Sequence, residues 1–189
     1  MKTLFFLFFI IMSLLLACNQ NYIPKPPGYF RIELPKREYQ TYNHKCPYTF
    51  DYPTYYKAIK SEQANAEPCW LNLDFPKFKA KIHLSYKNVS GNVNELLEEC
   101  RTLAYKHDIK ADAINEILYS DSINKVYGIL YEIKGNVASN IQFYVTDSIK
   151  HFLRGALYFE VIPNKDSLAP VIDFIEQDIS HLVETLRWK

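Results

Sequence analysis

Four cysteines and five histidines carry most of the reactive chemistry in this 189-residue chain. Cys100 and His107 invite a thiol–imidazole pair, in which a base activates a nucleophile. Seven residues along a helix make two turns, about 10.5 Å, so the two cannot meet within one helix. His44, His83, His107, His151 and His181 are dispersed, and none has a second histidine three or four residues on to share a helical face. The sequence holds no P-loop, dinucleotide glycine fingerprint, CxxC pair or HExxH run, and no serine in a G-x-S-x-G elbow. It names no catalytic residue, cofactor or metal. What remains is the chemistry of thiols, as cross-links or as attachment points.

Cys18 closes an apolar run, LFFLFFIIMSLLLA, that begins two residues after Lys2. As a helix the run covers about 21 Å against a hydrocarbon core of about 30 Å, too short to span, and it reads as a secretory signal. Leu15, Leu16, Ala17 and Cys18 resemble the lipobox of bacterial lipoproteins, in which the leader, here residues 1–17, is cleaved and the cysteine is acylated, with palmitate for example. An ordinary secreted chain or an uncleaved N-terminal anchor is the alternative. Several acyl chains on Cys18 would make attachment to membrane lipid effectively permanent. Residues 18–28 then form a proline-rich tether, whose segment NQNYIPKPPG reaches roughly 30 Å when extended. Asn19 follows the cysteine where an aspartate would favour the inner membrane, so the expected site is the periplasmic face of the outer membrane.

In an exported chain disulfides persist. Cys100 falls on the apolar face of an expected helix and suits burial as a small hydrophobe. Cys46 and Cys69 are then the expected pair, with a loop-closure contribution of about 3 kcal/mol. Two free cysteines are the alternative. Lysine and arginine number 22 against 21 acidic residues, and loss of Lys2 with the leader brings the rest into balance, which argues against nucleic acid as a partner. Residues 29–189 are long enough for a single domain with a sizeable core.

Positioning falls to alternating strands and two amphipathic helices. YFRIEL, from Tyr29 to Leu34, alternates as a half-buried strand, and PYTFDYP gives another that ends at Pro53. Leu71, Leu73 and Phe75 alternate, and after a turn at Pro76 so do Phe78, Ala80, Ile82, Leu84 and Tyr86. The other face of that second run carries Lys79, Lys81, His83, Ser85 and Lys87, a basic stripe suited to anionic lipid or glycan, or simply to keeping a sheet face soluble. Asn92 as cap, with Glu95 three residues on, starts a helix of about sixteen residues. The pattern is extended through Ile117, and three strand patterns follow: KVYGILYEIK, NIQFYVT and FLRGALYFEVI, with Gly135 and Asn136 at the first turn. Ser167 caps a last helix to Trp188, with Pro170 in its first turn. Strands, helix, strands, helix give an α+β fold, an antiparallel sheet with helices packed on it.

The segments YIPKPPGYFRIELPKREYQ, CPYTFDYP, PCWLNLDFPKFKAKIHLSYK and RTLAYKHDIKADAI together resemble the gliding motility lipoprotein family GldD over essentially the whole mature chain. The resemblance implies a cell-envelope component needed for gliding and for the associated type IX secretion system, acting beside other lipoproteins of that apparatus. A looser likeness of architecture is to the Mog1/PsbP group, which implies an α/β sandwich. Fold does not carry function, which must come from sites. The best-placed candidates for a partner surface are Trp70, Arg101, Tyr105, His107 and Lys110, in a chain with fifteen tyrosines and two tryptophans, residues favoured at interfaces. Asp121-Ser122-Ile123, Asp147-Ser148-Ile149 and Asp166-Ser167-Leu168 resemble a bacterial O-glycan acceptor signal at Ser122, Ser148 and Ser167. They also suit turns and caps. The expected role is a non-enzymatic binding or assembly factor. An envelope hydrolase with an unrecognised site, or a glycan- or lipid-binding module, is the alternative.

Overall fold

Apolar alternation sets most of the strands. The computed structural model describes residues 31–189. In order they form β1 (Tyr39–Tyr42), β2 (Tyr48–Pro53), β3 (Lys57–Lys60), β4 (Leu71–Phe75), β5 (Ala80–Asn88), α1 (Val93–Tyr105), β6 (Ala111–Asp121), β7 (Val126–Gly135), β8 (Ile141–Thr146), β9 (His151–Phe159), α2 (Lys165–Thr185) and β10 (Arg187–Trp188). Seven strands make one antiparallel sheet in the order β3-β4-β5-β9-β8-β7-β6, and β1-β2-β10 make a small second sheet. Cys18, the leader, the tether, Tyr29 and Phe30 lie outside the described residues.

Period-two alternation gives the large sheet two apolar faces. One, with Leu73, Phe75, Ile82, Leu84, Phe143 and Leu157, is covered by Phe174, Ile175, Ile179 and Leu182 of α2 and by Tyr48 and Phe50 of the small sheet. On the other face, Leu96, Cys100 and Ala104 of α1 cover Tyr131, Ile133, Tyr144 and Phe152. The result is the expected α+β architecture, an antiparallel sheet between helices. Gly155 in β9 is required by this packing, because a Cβ there would stand inside the ring of Phe143.

The segment ahead of β1 is not a strand over residues 31–34. It is a strap: Ile32 packs on the core, Lys77 Nζ donates to the Glu33 carbonyl at 2.7 Å, and Arg37 reaches Asp178 of α2. Asp178 is 2% exposed and accepts from Arg37 Nε at 3.1 Å, Tyr55 OH at 2.7 Å and Tyr56 OH at 3.4 Å. Burial pushes its carboxyl up, and the hydrogen bonds from Tyr55 and Arg37 pull it partly back. The Arg37 guanidinium lies 4.2 Å over the Phe174 ring. Cys46 and Cys69 form a disulfide with Cα atoms 5.5 Å apart, and Tyr48 OH donates to the Cys69 carbonyl at 2.7 Å.

Other element ends also differ from expectation. Phe78 belongs to a 3-10 turn, Pro76–Phe78, that ends on left-handed Lys79. Helix α1 has 13 residues, and the Asn92 side chain accepts from Ser90 N instead of capping it. Asn164, not Ser167, caps α2: its Oδ1 accepts from Ser167 N at 3.1 Å. Pro170 consequently lies inside the helix. Arg187 and Trp188 leave the helix to pair with Thr49 and Tyr48, because Trp188 gains a bond to the Lys125 carbonyl at 3.0 Å and a stacked His151 ring.

Candidate functional site

Among the described residues the large sheet ends in two strands with unpaired outer edges, β3 and β6, and their sequences differ in kind. Among β3's four residues, Lys-Ala-Ile-Lys, the terminal lysines flank the exposed Ile59. Strand β6, ADAINEILYSD, has eleven residues, none of them buried. It carries no lysine, arginine or proline, the residues with which edge strands ordinarily discourage further pairing. Its ladder with β7 runs from Asp121↔Val126 to Ala111↔Gly135, irregular only between Ala111 and Ala113.

Cross-strand partners project to the same side of a sheet. Ile117 opposes Leu130, whose side chain is in the core beneath α2, and Leu118 opposes Ile129, which packs with the α1 cluster. Apolar side chains therefore leave β6 on both faces. Ile117 is 46% exposed and Leu118 78%. On the α2 side, Ile117 and Tyr119 with Leu130, Val145 and Val183 line an apolar groove of about 160 Å³, with Ser180 and Glu184 at its wall.

The surroundings are acidic. Strand β6 holds Asp112, Glu116 and Asp121. Behind it Asn115 Nδ2 donates to Glu132 Oε2 at 3.1 Å, and burial together with a hydrogen bond to Glu132 pushes Glu176 of α2 up to about 7. Lys165 is committed to Asp112 at 2.6 Å, while Lys106 and Lys110 stand in the turn before the strand.

Of the residues singled out from the sequence, Arg101 and Tyr105 adjoin this edge. Tyr105 OH donates to Glu116 Oε1 at 3.0 Å, and the Arg101 guanidinium lies 5.5 Å over the Tyr105 ring and 3.8 Å from Glu98. His107 and Lys110 occupy the turn leading into β6, where Lys110 N donates to the His107 carbonyl at 3.0 Å. Burial and the charge of Arg154 hold the His107 imidazole below its usual range. Trp70 does not join them. Its Nε1 donates to the Tyr86 carbonyl at 2.9 Å, and its ring lines a small pocket with Lys87, Glu99, Cys100, Leu103 and Arg154. Glu99 and Leu103 lie about 200° around α1 from Arg101.

The remaining chemistry is spent structurally. Cys100 is buried, which pushes its thiol up to about 12, out of reach of nucleophilic use. The basic stripe on β5 is largely neutralised: Lys81 meets Glu160 at 2.9 Å, Lys87 meets Glu99 at 3.8 Å, and His83 Nδ1 shares a 2.7 Å hydrogen bond with Asn72. Ser122, Ser148 and Ser167 are exposed. The first two stand in turns that Asp121 and Asp147 close by accepting backbone N–H groups, from Ile123 and Asn124 and from Ile149, Lys150 and His151. Sequence reasoning read the region through Ile117 as extended but did not single it out. The signal was there in Ile117-Leu118-Tyr119, three apolar residues in a row where a one-sided strand would alternate.

Among the described residues no helix is long and apolar enough to cross a membrane, and no group of three or more His, Cys, Asp or Glu side chains is placed to hold a metal ion. The fold is that of the PsbP class: the solution structure of cyanobacterial PsbP (CyanoP) from Synechocystis superposes with a TM-score of 0.52 at 11% identity, over 85% of this chain and 98% of that one. No curated protein matches the sequence. The family model described as gliding motility lipoprotein GldD matches residues 19–188, and the chain belongs to that family. Membership makes it a cell-envelope lipoprotein with a part in gliding motility.

Proposed function

We propose that the protein is a non-enzymatic assembly factor for the gliding apparatus and its type IX secretion system, tethered through acylated Cys18 to the periplasmic face of the outer membrane. Its working surface is the β6 edge with the groove beside it, where it meets other envelope proteins. The observation that carries this reading is the exposure of Leu118 and Ile117 on a long edge without a lysine. A monomer gains nothing from such an edge and risks aggregation by keeping it. The test is a strain carrying Ile117→Lys with Leu118→Lys at normal protein level: colony spreading and secretion of the apparatus's cargo are lost, whereas Ile59→Lys on β3 leaves both intact. Normal spreading and secretion in the double variant would sink the reading.

One observation favours a second reading, binding of an acidic glycan or lipid head group. Trp70 lines a wide pocket together with His44, Lys45 and Lys60. On that reading Trp70→Ala abolishes function while the β6 variants do not. O-glycans on Ser122, Ser148 and Ser167 are a separate proposal, checked by the intact mass of protein from its native host.

A further inference from the structure

Three features of β6 specify more than a sticky patch. The first is the backbone. Among the described residues strand β6 is paired on one side only, so the other edge offers a row of N–H and C=O groups over eleven residues. Only another extended chain satisfies such a row, and the resulting main-chain ladder is the source of affinity in strand addition. A helix or lipid surface would leave those groups unpaired, each a net cost once water is displaced.

The second feature is side-chain alternation. A strand laid beside β6 sends every second residue toward α2, next to Ile117 and Tyr119, where the groove extends the apolar surface. The other residues point toward α1, where they meet Glu116 and Leu118. The third is charge. Asp112 is held by Lys165, but Glu116 and Asp121 have no salt-bridge partner among the described residues, and the strand itself carries no base. Two copies of this chain pairing edge to edge would bring two sets of Glu116 and Asp121 together, which disfavours self-association.

We infer that β6 accepts a β-strand from another envelope protein, its alternate residues apolar toward the groove and basic toward Glu116. This rests on the reading of the β6 edge as the working surface, and adds to it the shape and charge of what binds.

The test uses the full chain in cells of its native host. A photoreactive benzophenone side chain is placed at position 118, with position 59 as control, and the cross-linked peptides are sequenced by mass spectrometry. Strand addition predicts an adduct at 118 on a segment of another protein whose residues alternate apolar and basic, and no such adduct at 59. Glu116→Lys lowers the yield about tenfold through like-charge repulsion, with Glu116→Gln intermediate. An adduct on a second copy, an adduct on a segment without that alternation, or no adduct at 118 overturns the inference. The two failures separate: if Ile117→Lys with Leu118→Lys abolishes gliding while the adduct lacks the pattern, only the strand inference falls, and if that variant glides normally the surface reading falls with it.

Discussion

The two sides of the large sheet are finished in opposite ways. On the β3 side everything is fastened: the strap of residues 31–38 is held by Arg37 on Asp178, a disulfide joins Cys46 to Cys69 ahead of β4, and the edge strand is four residues long with a lysine at each end. The β6 side has a strand almost three times as long, with apolar residues on both faces, acids instead of lysines, and a groove left open beside α2. Fastening of this kind makes a fold stable, whereas an open apolar edge adds nothing to a monomer's stability. The fastening contacts gather on the β3 side, and on the reading proposed above the partner contact lies at the opposite edge. Substitutions should then separate stability from function.

The largest stability effect is expected at the clasp. Arg37→Ala leaves the buried Asp178 carboxylate without its cation, a change that costs about 3–5 kcal/mol where buried pairs are broken. At roughly 2–4 °C per kcal/mol for a domain of this size, thermal unfolding should fall by about 10 °C. A loss below about 1 kcal/mol would mean that the strap is not held by this pair. Next, Cys46→Ser with Cys69→Ser should cost about 2–4 kcal/mol, read from denaturant unfolding without reductant.

A smaller and pH-dependent effect belongs to Glu176. Its folded pKa, raised to about 7 from 4.5 by burial and by Glu132, means that the unfolded state gives up its proton first as pH rises. The stability this group contributes is complete below about pH 4.5 and is lost as pH passes through about 7. Glu176→Gln should flatten that part of the stability–pH profile and leave the variant relatively more stable at pH 8. An unchanged slope between pH 5 and 8 would remove the carboxylate pair from the account. The smallest stability change is expected at Leu118→Lys, within about 0.5 kcal/mol of the parent, as for exposed positions generally. A large loss there would mean that Leu118 packs within the monomer, and the contrast between the two edges would fail.

Much of this architecture was legible as local pattern. Strands β2, β4, β5, β7, β8 and β9 follow from alternation bounded by Pro53, Pro76 and Gly135, and α2 follows from the spacing of Val171, Ile175, Ile179 and Leu182. What failed depended on contacts between distant residues. Asn164 and Ser167 are both good caps, and the choice fell to Asn164, where Lys165 N reaches the Asn136 side chain at 2.8 Å and Lys165 Nζ reaches Asp112. Trp188 continues a helical spacing, yet its indole finds partners only as part of β10. Residues 31–34 alternate like a strand but spend their contacts on the core and on Lys77. The site was less legible still. Edge position is a property of strand order, so nothing within β6 itself says that its outer side is unpaired. The aromatic and charged residues that stood out divide: Arg101 and Tyr105 adjoin the edge, while Trp70 lies across α1 from them.

Amide hydrogen exchange, compared between the protein in its native envelope and the same lipidated chain purified in detergent, tests the assignment of β6 most directly. An occupied edge should slow exchange across 113–119 in the envelope by about tenfold or more relative to the purified protein, while β3 exchanges alike in both. Equal exchange of β6 in the two preparations would contradict the central claim that this edge is where the protein works.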